Sequence, residues 1–253
     1  MNTAFRIVIP ARYASTRLPG KPLIELAGRP LLRWVYERAR YAGAAAVLIA
    51  TDDERIADAA RGFGAEVVMT ASTHASGSDR IAEVARSRGW GAQDIVVNVQ
   101  GDEPLMPAVL ITQVAALLAE HAAADIATLA APITSVKALM DPNVVKVVTD
   151  GARRALYFSR APIPWQRDGA PTGLASQQSF AGARRHVGLY AYRVASLLRL
   201  SALAPSELEQ AEKLEQLRAL EHGMDIRVAD AAEPPGPDVN TAEDLQRVQA
   251  LLR

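Results

Sequence analysis

Phe5-Arg6-Ile7-Val8-Ile9-Pro10 runs straight into Ala11-Arg12-Tyr13-Ala14-Ser15-Thr16-Arg17-Leu18-Pro19-Gly20-Lys21-Pro22. The first six residues read as a short buried strand. The next twelve read as a loop carrying three cations among small residues and prolines. Open α/β sheets bind their ligands beyond the carboxyl ends of their strands. A loop rich in Arg and Lys at that position is therefore predicted to hold phosphates. It lacks the spaced glycines and the Gly-Lys-Ser/Thr ending of a P-loop, so side chains do most of the holding. Arg12 offers a fork of donors and Lys21 a mobile point charge. Arg and Lys in loops are ordinarily just solvated. Here the position after the first strand, with Pro10, Pro19 and Pro22 stiffening the backbone, favours a ligand.

Outward from this stretch the first half alternates strand and helix. Pro30 opens a helix ending near Gly43, with proline at a favoured first position. Ala46 to Thr51 is a second strand, and Thr51 or Asp52 is expected to cap a helix over Asp53 to Gly64. Glu66 to Met69 is a third strand, Ser78 to Gly89 a helix, and Asp94 to Val99 a β-branched fourth strand. This order predicts a mostly parallel sheet covered by helices on both faces. The second half is less regular. A helix is expected over Pro107 to His121, with strands over Ile126 to Pro132, Val144 to Thr149, Ala155 to Phe158 and His186 to Tyr192. Residues 165–184 read as a mobile polar loop. A single amphipathic helix is expected over Ser206 to His222, with Leu208, Leu214 and Leu217 inward. A terminal helix follows over Thr241 to Arg253, capped by Thr241. No linker is evident, so residues 1–253 are read as one domain, one mixed sheet with an inserted substrate-binding or dimer-forming lobe at about 130–195.

The chain has 253 residues, 49% of them hydrophobic and 22% charged, the composition of an ordinary globular protein. Lys+Arg and Asp+Glu both number 28, so net charge is zero. That balance argues against nucleic-acid binding, which needs a basic surface for counterion release. The absence of cysteine excludes disulfides, thiol nucleophiles and cysteine metal sites. The first strand begins with no signal-like segment before it, and no apolar run reaches the ~18 residues of a membrane span. The expected location is the cytoplasm, with no membrane partner.

Asn98-Val99-Gln100-Gly101-Asp102-Glu103-Pro104 follows the fourth strand, on the same sheet edge as the opening loop. Asp102 is there available to a hard divalent cation such as magnesium, which is usually held by carboxylates plus substrate phosphates. An isolated loop aspartate means little; a cationic loop on the same edge gives it meaning. His74-Ala75-Ser76-Gly77-Ser78-Asp79-Arg80 precedes a helix, so its backbone N–H groups can meet an acceptor. An ordinary cap by Ser78 explains the same residues, and the two readings are compatible. The four histidines (74, 121, 186 and 222) show no metal-ligand spacing, and no Gly-x-Ser-x-Gly elbow is present. His121 and His222 fall near expected helix ends, where they can meet the last carbonyls.

Taken together, these segments resemble the 3-deoxy-manno-octulosonate cytidylyltransferase (CMP-Kdo synthetase) family. The similarity rests on Ile9 to Lys21, Ala50-Thr51-Asp52, His74 to Arg80 and Val97 to Pro104. It continues through Asn143 to Val148, Tyr157 to Trp165, His186 to Tyr190 and Leu214 to Arg218. The resemblance implies a nucleotide-diphospho-sugar transferase (glycosyltransferase-A-like) fold, α/β, with a mixed, mostly parallel sheet flanked by helices. It implies CMP transfer from CTP to 3-deoxy-D-manno-octulosonate (Kdo) with release of pyrophosphate, for lipopolysaccharide biosynthesis. It also implies Mg2+, a cytoplasmic homodimer, and CTP and Kdo as the small-molecule partners. Carried over to this chain, the catalytic set is Arg12, Lys21 and Asp102. The nucleotide side is Ala11, Arg12, Lys21, Ser76, Gly77, Arg80 and Gln100. The sugar side is Gln100, Arg160, His186, Tyr190 and Glu215, and Asp102 holds the metal.

One position departs from the family pattern. A Val-Asp-Thr step usual in the family is here Val239-Asn240-Thr241, with Asp238 two residues before Asn240. Either Asn240 supplies a neutral carbonyl oxygen to the metal or Asp238 replaces it through a loop shift. Two rival readings stand beside the main one: a cytidylyltransferase for 8-amino Kdo or sialic acid, and a non-catalytic nucleotide-binding module.

Overall fold

The computed structural model describes residues 4–14, 18–169, 173, 176 and 180–252. Ser15, Thr16 and Arg17 of the opening loop lie outside the described residues, as do eight positions of the expected 165–184 loop (170–172, 174–175 and 177–179).

Three parallel strands carry the architecture. β1 (Phe5–Ala11) lies between β4 (Ala46–Thr51) and β6 (Ile95–Asn98), and β5 (Glu66–Met69) extends the row beside β4. Ile7, Val8 and Ile9 are fully buried, as a parallel strand covered on both faces requires. Alternation splits them: Ile7 and Ile9 enter one core and Val8 the other. The first core is closed by α1 (Leu31–Arg40) and α4 (Ala108–Glu120), the second by α3 (Gly77–Ser87) and α6 (Val194–Ala202). Beyond β6 the order continues through β10 (Arg184–Arg193), β7 (Ile126–Pro132) and β11 (Ile226–Asp230). Only β10 is reversed along this path, pairing antiparallel with both β6 and β7. β8 (Lys146–Thr149) and β9 (Ala155–Ser159) branch from β10 as an antiparallel pair. The mixed, mostly parallel sheet flanked by helices is therefore as expected.

Several local expectations change. Pro30 is the cap of α1 and closes a two-strand ladder, β2 (Glu25–Leu26) with β3 (Arg29–Pro30), rather than standing inside the helix. α2 (Glu54–Gly62) is capped by Asp53, whose carboxylate accepts from Arg55 N at 3.0 Å. Thr51 instead accepts from Asp53 N, which leaves Asp52 to pair with Arg80 at 3.1 Å. α3 is capped by Ser76 in a reciprocal box with Asp79, so Ser78 is free for another contact. The short helix α5 (Val136–Met140), α6 and β11 were not foreseen.

The largest correction lies over Ser206 to His222. The single expected helix is two, α7 (Glu207–Glu212) and α8 (Gln216–Glu221), broken at Lys213 with φ +54°. Leu214 and Leu217 are buried as expected, but Leu208 is exposed. The fold-back is held by Arg218, which donates to both Glu209 oxygens at 2.8 and 2.6 Å and to Leu203 O at 3.2 Å. Only 6% and 13% of the two side chains are exposed. The terminal helix α9 (Ala242–Leu251) is capped by Thr241 as expected. No described helix is long and apolar enough to cross a membrane.

Removing one member of a buried pair leaves the other charge uncompensated. Glu209→Ala is expected to destabilise the fold by about 3–5 kcal/mol in urea titration. Glu207→Ala, two positions away on an exposed face, is expected to change stability by less than about 0.5 kcal/mol.

Candidate active site

The parallel strands β1, β4 and β6 leave the sheet at the same edge: β1 and β4 end side by side at Ala11 and Thr51, and β6 ends at Asn98 beside Val8. Their outgoing loops enclose a polar cavity of about 290 Å³. The end of β1 contributes Pro10, Ala11 and Arg12, and the short 3-10 turn Lys21–Leu23 contributes Lys21 and Pro22. The segment entering α3 contributes His74, Ser76 and Gly77, with Arg80 one turn further on. Gln100, Gly101 and Asp102 form the β6 side, and Asn240 closes the wall from the far end of the chain. Every residue expected on the nucleotide side thus lines one cavity with Asp102.

Lys21 is the centre of this cavity. Its ammonium donates to Asp102 Oδ2 at 2.7 Å and to Asn240 Oδ1 at 3.2 Å. Two protein oxygens, one charged and one neutral, already converge on a cation, which is the donor set a magnesium ion shared with phosphates would need. Among the described residues no group of three His, Cys, Asp or Glu side chains gathers as a metal cluster. Such an ion would therefore take its remaining oxygens from ligand and water.

Asn240 is brought to Asp102 by a tight backbone approach. A Cβ on Gly236 would lie 2.5 Å from Leu105 O, so only glycine lets the 234–240 segment seat on the loop after β6. Val239 N then donates to Asp102 O at 2.9 Å. The amide of Asn240 has one possible orientation here, because Lys21 can only donate and Asp238 can only accept. Oδ1 faces Lys21, and Nδ2 donates to Asp238 Oδ2 at 2.5 Å. Asp238 therefore contacts Asn240 and does not line the cavity.

Arg80 is buried and serves the frame of the cavity. It pairs with Asp52 and donates to Thr70 Oγ1 and Ala71 O. His74 is pinned by Glu83, whose Oε2 also accepts from Ala71 N at 3.0 Å. The His74 contact contributes to holding Glu83 below its ordinary pKa against the opposing effect of burial.

Apart from Gln100, which lines the cavity, the expected sugar residues Arg160, His186, Tyr190 and Glu215 lie outside its lining. Glu215 reaches α3 by accepting from Ser78 Oγ, itself 2.9 Å from Ser76 Oγ. Burial raises the Glu215 carboxyl above its usual range, against the Ser78 contact. Tyr190 packs against His186 with ring centroids 5.1 Å apart, and its phenol is driven well above 10 by burial and by Glu215 and Glu103. It therefore stays a donor. Arg160 is tied inside the lobe: Nε donates to Glu212 O at 2.6 Å and Nη1 to Pro142 O at 2.8 Å. Its main-chain oxygen accepts from Lys146, a fully buried lysine, at 2.7 Å.

His186 has a defined tautomer. Its Nε2 lies 2.9 Å from Thr128 Oγ1, and that hydroxyl has carbonyls at 2.8 Å (Leu189) and 3.1 Å (Val187). The single hydroxyl proton goes to a carbonyl, so Nε2 carries the ring proton and Nδ1 is left as an acceptor. Desolvation, with Arg185 adding to it, draws the imidazole pKa down to about 3.

Sequence reasoning missed Glu103 and Arg185. Glu103 is pushed up to about 8 by burial and by Asp102 and Asp238, and its Oε2 is buried without a hydrogen-bond partner. Burial thus works against a second charge beside Asp102. Arg185 is exposed, without an ion-pair partner among the described residues. The Arg184-Arg185 pair before His186 was its only signal in the sequence.

The His186 ring is expected to remain neutral as pH falls through 6.5 and to protonate only near 3. The unfolded chain takes up that proton first, so stability from this group is lost as pH falls between those values. Imidazole nitrogen shifts followed by NMR check it: protonation of His186 near 6.5 would overturn the assignment.

Comparison with known proteins fits this geometry. A family model described as cytidylyltransferase matches residues 6–226. The chain is 55% identical over 250 residues to the 3-deoxy-manno-octulosonate cytidylyltransferase of Thioalkalivibrio sulfidiphilus, covering 99% of each chain. It is 55% identical over 252 residues to the enzyme of the same name from Pseudomonas fluorescens, covering 100% of this chain and 99% of that one. Among solved structures it is similar to a CMP:2-keto-3-deoxy-manno-octonic acid synthetase complexed with CTP. The TM-score there is 0.88 at 42% identity, covering 98% of both chains. A cytidylyltransferase from Leptospira borgpetersenii shares the fold at 14% identity, with a TM-score of 0.62 over 98% of this chain and 85% of that one.

Proposed function

This chain belongs to the cytidylyltransferase family, and from that membership and its site we infer that it transfers CMP from CTP to Kdo, releasing pyrophosphate. The observation that carries the site assignment is the Lys21 ammonium held between Asp102 and Asn240 in a polar cavity at the strand ends. The product is an activated sugar for lipopolysaccharide assembly.

In this reading the anomeric hydroxyl of Kdo attacks the α-phosphorus of CTP in line, with no covalent enzyme intermediate. Positioning and charge neutralisation supply the catalysis. Arg12 and Lys21 take the phosphates, and Lys21 exchanges Asp102 for a phosphate oxygen as CTP enters. Ala11, Gln100, Ser76 and the N–H group of Gly77 at the start of α3 border the nucleotide, an arrangement that favours anions. Arg80 holds the walls. On the sugar side, Tyr190 donates, His186 Nδ1 accepts, Glu215 takes a hydroxyl, and Arg160 meets the sugar carboxylate with its remaining donors.

Asp102 and Asn240 are the residues that would hold magnesium, which when bound neutralises phosphate charge and fixes its geometry. The protein works in the cytoplasm as a homodimer, with residues 130–195 supplying sugar contacts and part of the interface. Exposed Leu156 on β9, which pairs only with β8 among the described strands, supports the second role.

Pyrophosphate release from CTP is the deciding assay, with Kdo, 8-amino Kdo and sialic acid each tested with and without magnesium. Release is expected with Kdo and to require the ion. Nucleotide binding without release from any sugar would favour a non-catalytic module instead. Asp102→Ala is expected to lower kcat by about a hundredfold or more; near-normal turnover at saturating magnesium would remove Asp102 from the mechanism. Asn240→Asp adds a carboxylate to the pair, so half-maximal activity is expected at several-fold lower magnesium in a titration.

A further inference from the structure

Tyr13 lies outside the cavity lining, yet it touches both ends of the opening loop. Its main-chain oxygen accepts from Gly20 N at 3.0 Å, which joins the loop at its base. Its ring lies so close to Gly20 that a Cβ there would sit 3.1 Å from Cε2 and Cζ. Over the face of the same ring stands the guanidinium of Arg55, with Cζ 3.3 Å from the centroid. Arg55 is in turn held by Asp53 through two parallel bonds, Nε to Oδ1 at 2.9 Å and Nη2 to Oδ2 at 2.6 Å. Asp53 is fixed because it caps α2. An unbroken series of contacts thus runs from the start of α2 through Arg55, Tyr13 and Gly20 to Lys21, the next residue.

We propose that the Asp53–Arg55–Tyr13 stack is a positioning device that sets Lys21 for the triphosphate before CTP arrives. This rests on the reading that Lys21 binds the CTP phosphates. Arg55 makes no contact with the cavity and is 60% exposed on a surface helix. A substitution at such a place is normally silent. Here it removes the planar group that covers the Tyr13 ring and frees the Tyr13–Gly20 base. Gly20 and Lys21 then have to be fixed at the moment of binding, which weakens affinity. The effect falls on the nucleotide, because Arg160, His186, Tyr190 and Glu215 on the sugar side stand on the end of β9, on β10 and between α7 and α8, away from the stack.

Arg55→Ala and Tyr13→Leu are expected to raise KM for CTP by about three- to tenfold. KM for Kdo, kcat and Tm are expected to stay unchanged. Tyr13→Phe keeps the stack and should behave as the unaltered enzyme. Arg55→Lys lacks the planar fork and should not rescue. In the free enzyme, hydrogen exchange at Gly20 N–H should speed up in Arg55→Ala. Lys21→Ala serves as the control. If it leaves KM for CTP unchanged, the phosphate role of Lys21 fails and this proposal falls with it. If Lys21→Ala raises that KM while Arg55→Ala and Tyr13→Leu do not, the positioning role alone is overturned. An equal rise in both KM values, or a lowered Tm, would likewise overturn it, since that is general loosening.

Discussion

The contact of Lys21 with Asp102 and Asn240 joins three loops that lie far apart in the chain. One leaves β1, one leaves β6, and one precedes the terminal helix. None of these loops has a core of its own. What places them is the burial of Ile7, Val8 and Ile9 on both faces of the sheet, which holds β4, β1 and β6 side by side and parallel, so that their outgoing loops leave the same edge. The side chains that carry charge then have one place to meet, at the carboxyl edge. The stability of the two cores and the composition of the site are in this sense one constraint, expressed first as packing and then as electrostatics.

The same sheet separates two chemical environments. On the nucleotide side charges are compensated but ionised: Lys21 with Asp102, Arg80 with Asp52. On the sugar side loss of water works against the charged form of each group. His186 is drawn down, Tyr190 pushed up, and Glu103 and Glu215 both raised. A triphosphate needs countercharge, whereas a polyhydroxylated sugar needs oriented donors and acceptors whose proton positions do not shift. Burial against Phe158 and the aromatic row of β10 supplies the second condition as directly as the cationic loop supplies the first.

Much of this was legible in the sequence because it follows from local rules. The apolar runs, Ser/Thr/Asp caps and β-α alternation mark the parallel half, and the loops after the first and fourth strands mark the nucleotide side. Where the reading failed, the missing term was long-range. Ser206 to His222 has helical periodicity throughout, but the Arg218–Glu209 pair folds it in two and turns Leu208 outward. Thr51 and Asp52 looked like caps, but Asp52 is taken by Arg80 and the cap passes to Asp53. Arg160 and His186 were found from the resemblance alone. Their orientation depends on Glu212 and Thr128, whose part no spacing in the chain reveals.

Asn240 shows how one substitution can be absorbed by its surroundings. An aspartate there would stand beside Asp238 and Asp102 with a single lysine to offset the three. The amide instead presents opposite polarities to its two neighbours, accepting from Lys21 and donating to Asp238. The negative charge is kept one hydrogen bond further from the cavity, on Asp238, and the oxygen facing Lys21 is neutral but fixed in direction. Because Lys21 cannot accept and Asp238 cannot donate, turning the amide over would lose both hydrogen bonds. The position therefore gives up charge and keeps geometry, which is the property a site built on positioning most depends on.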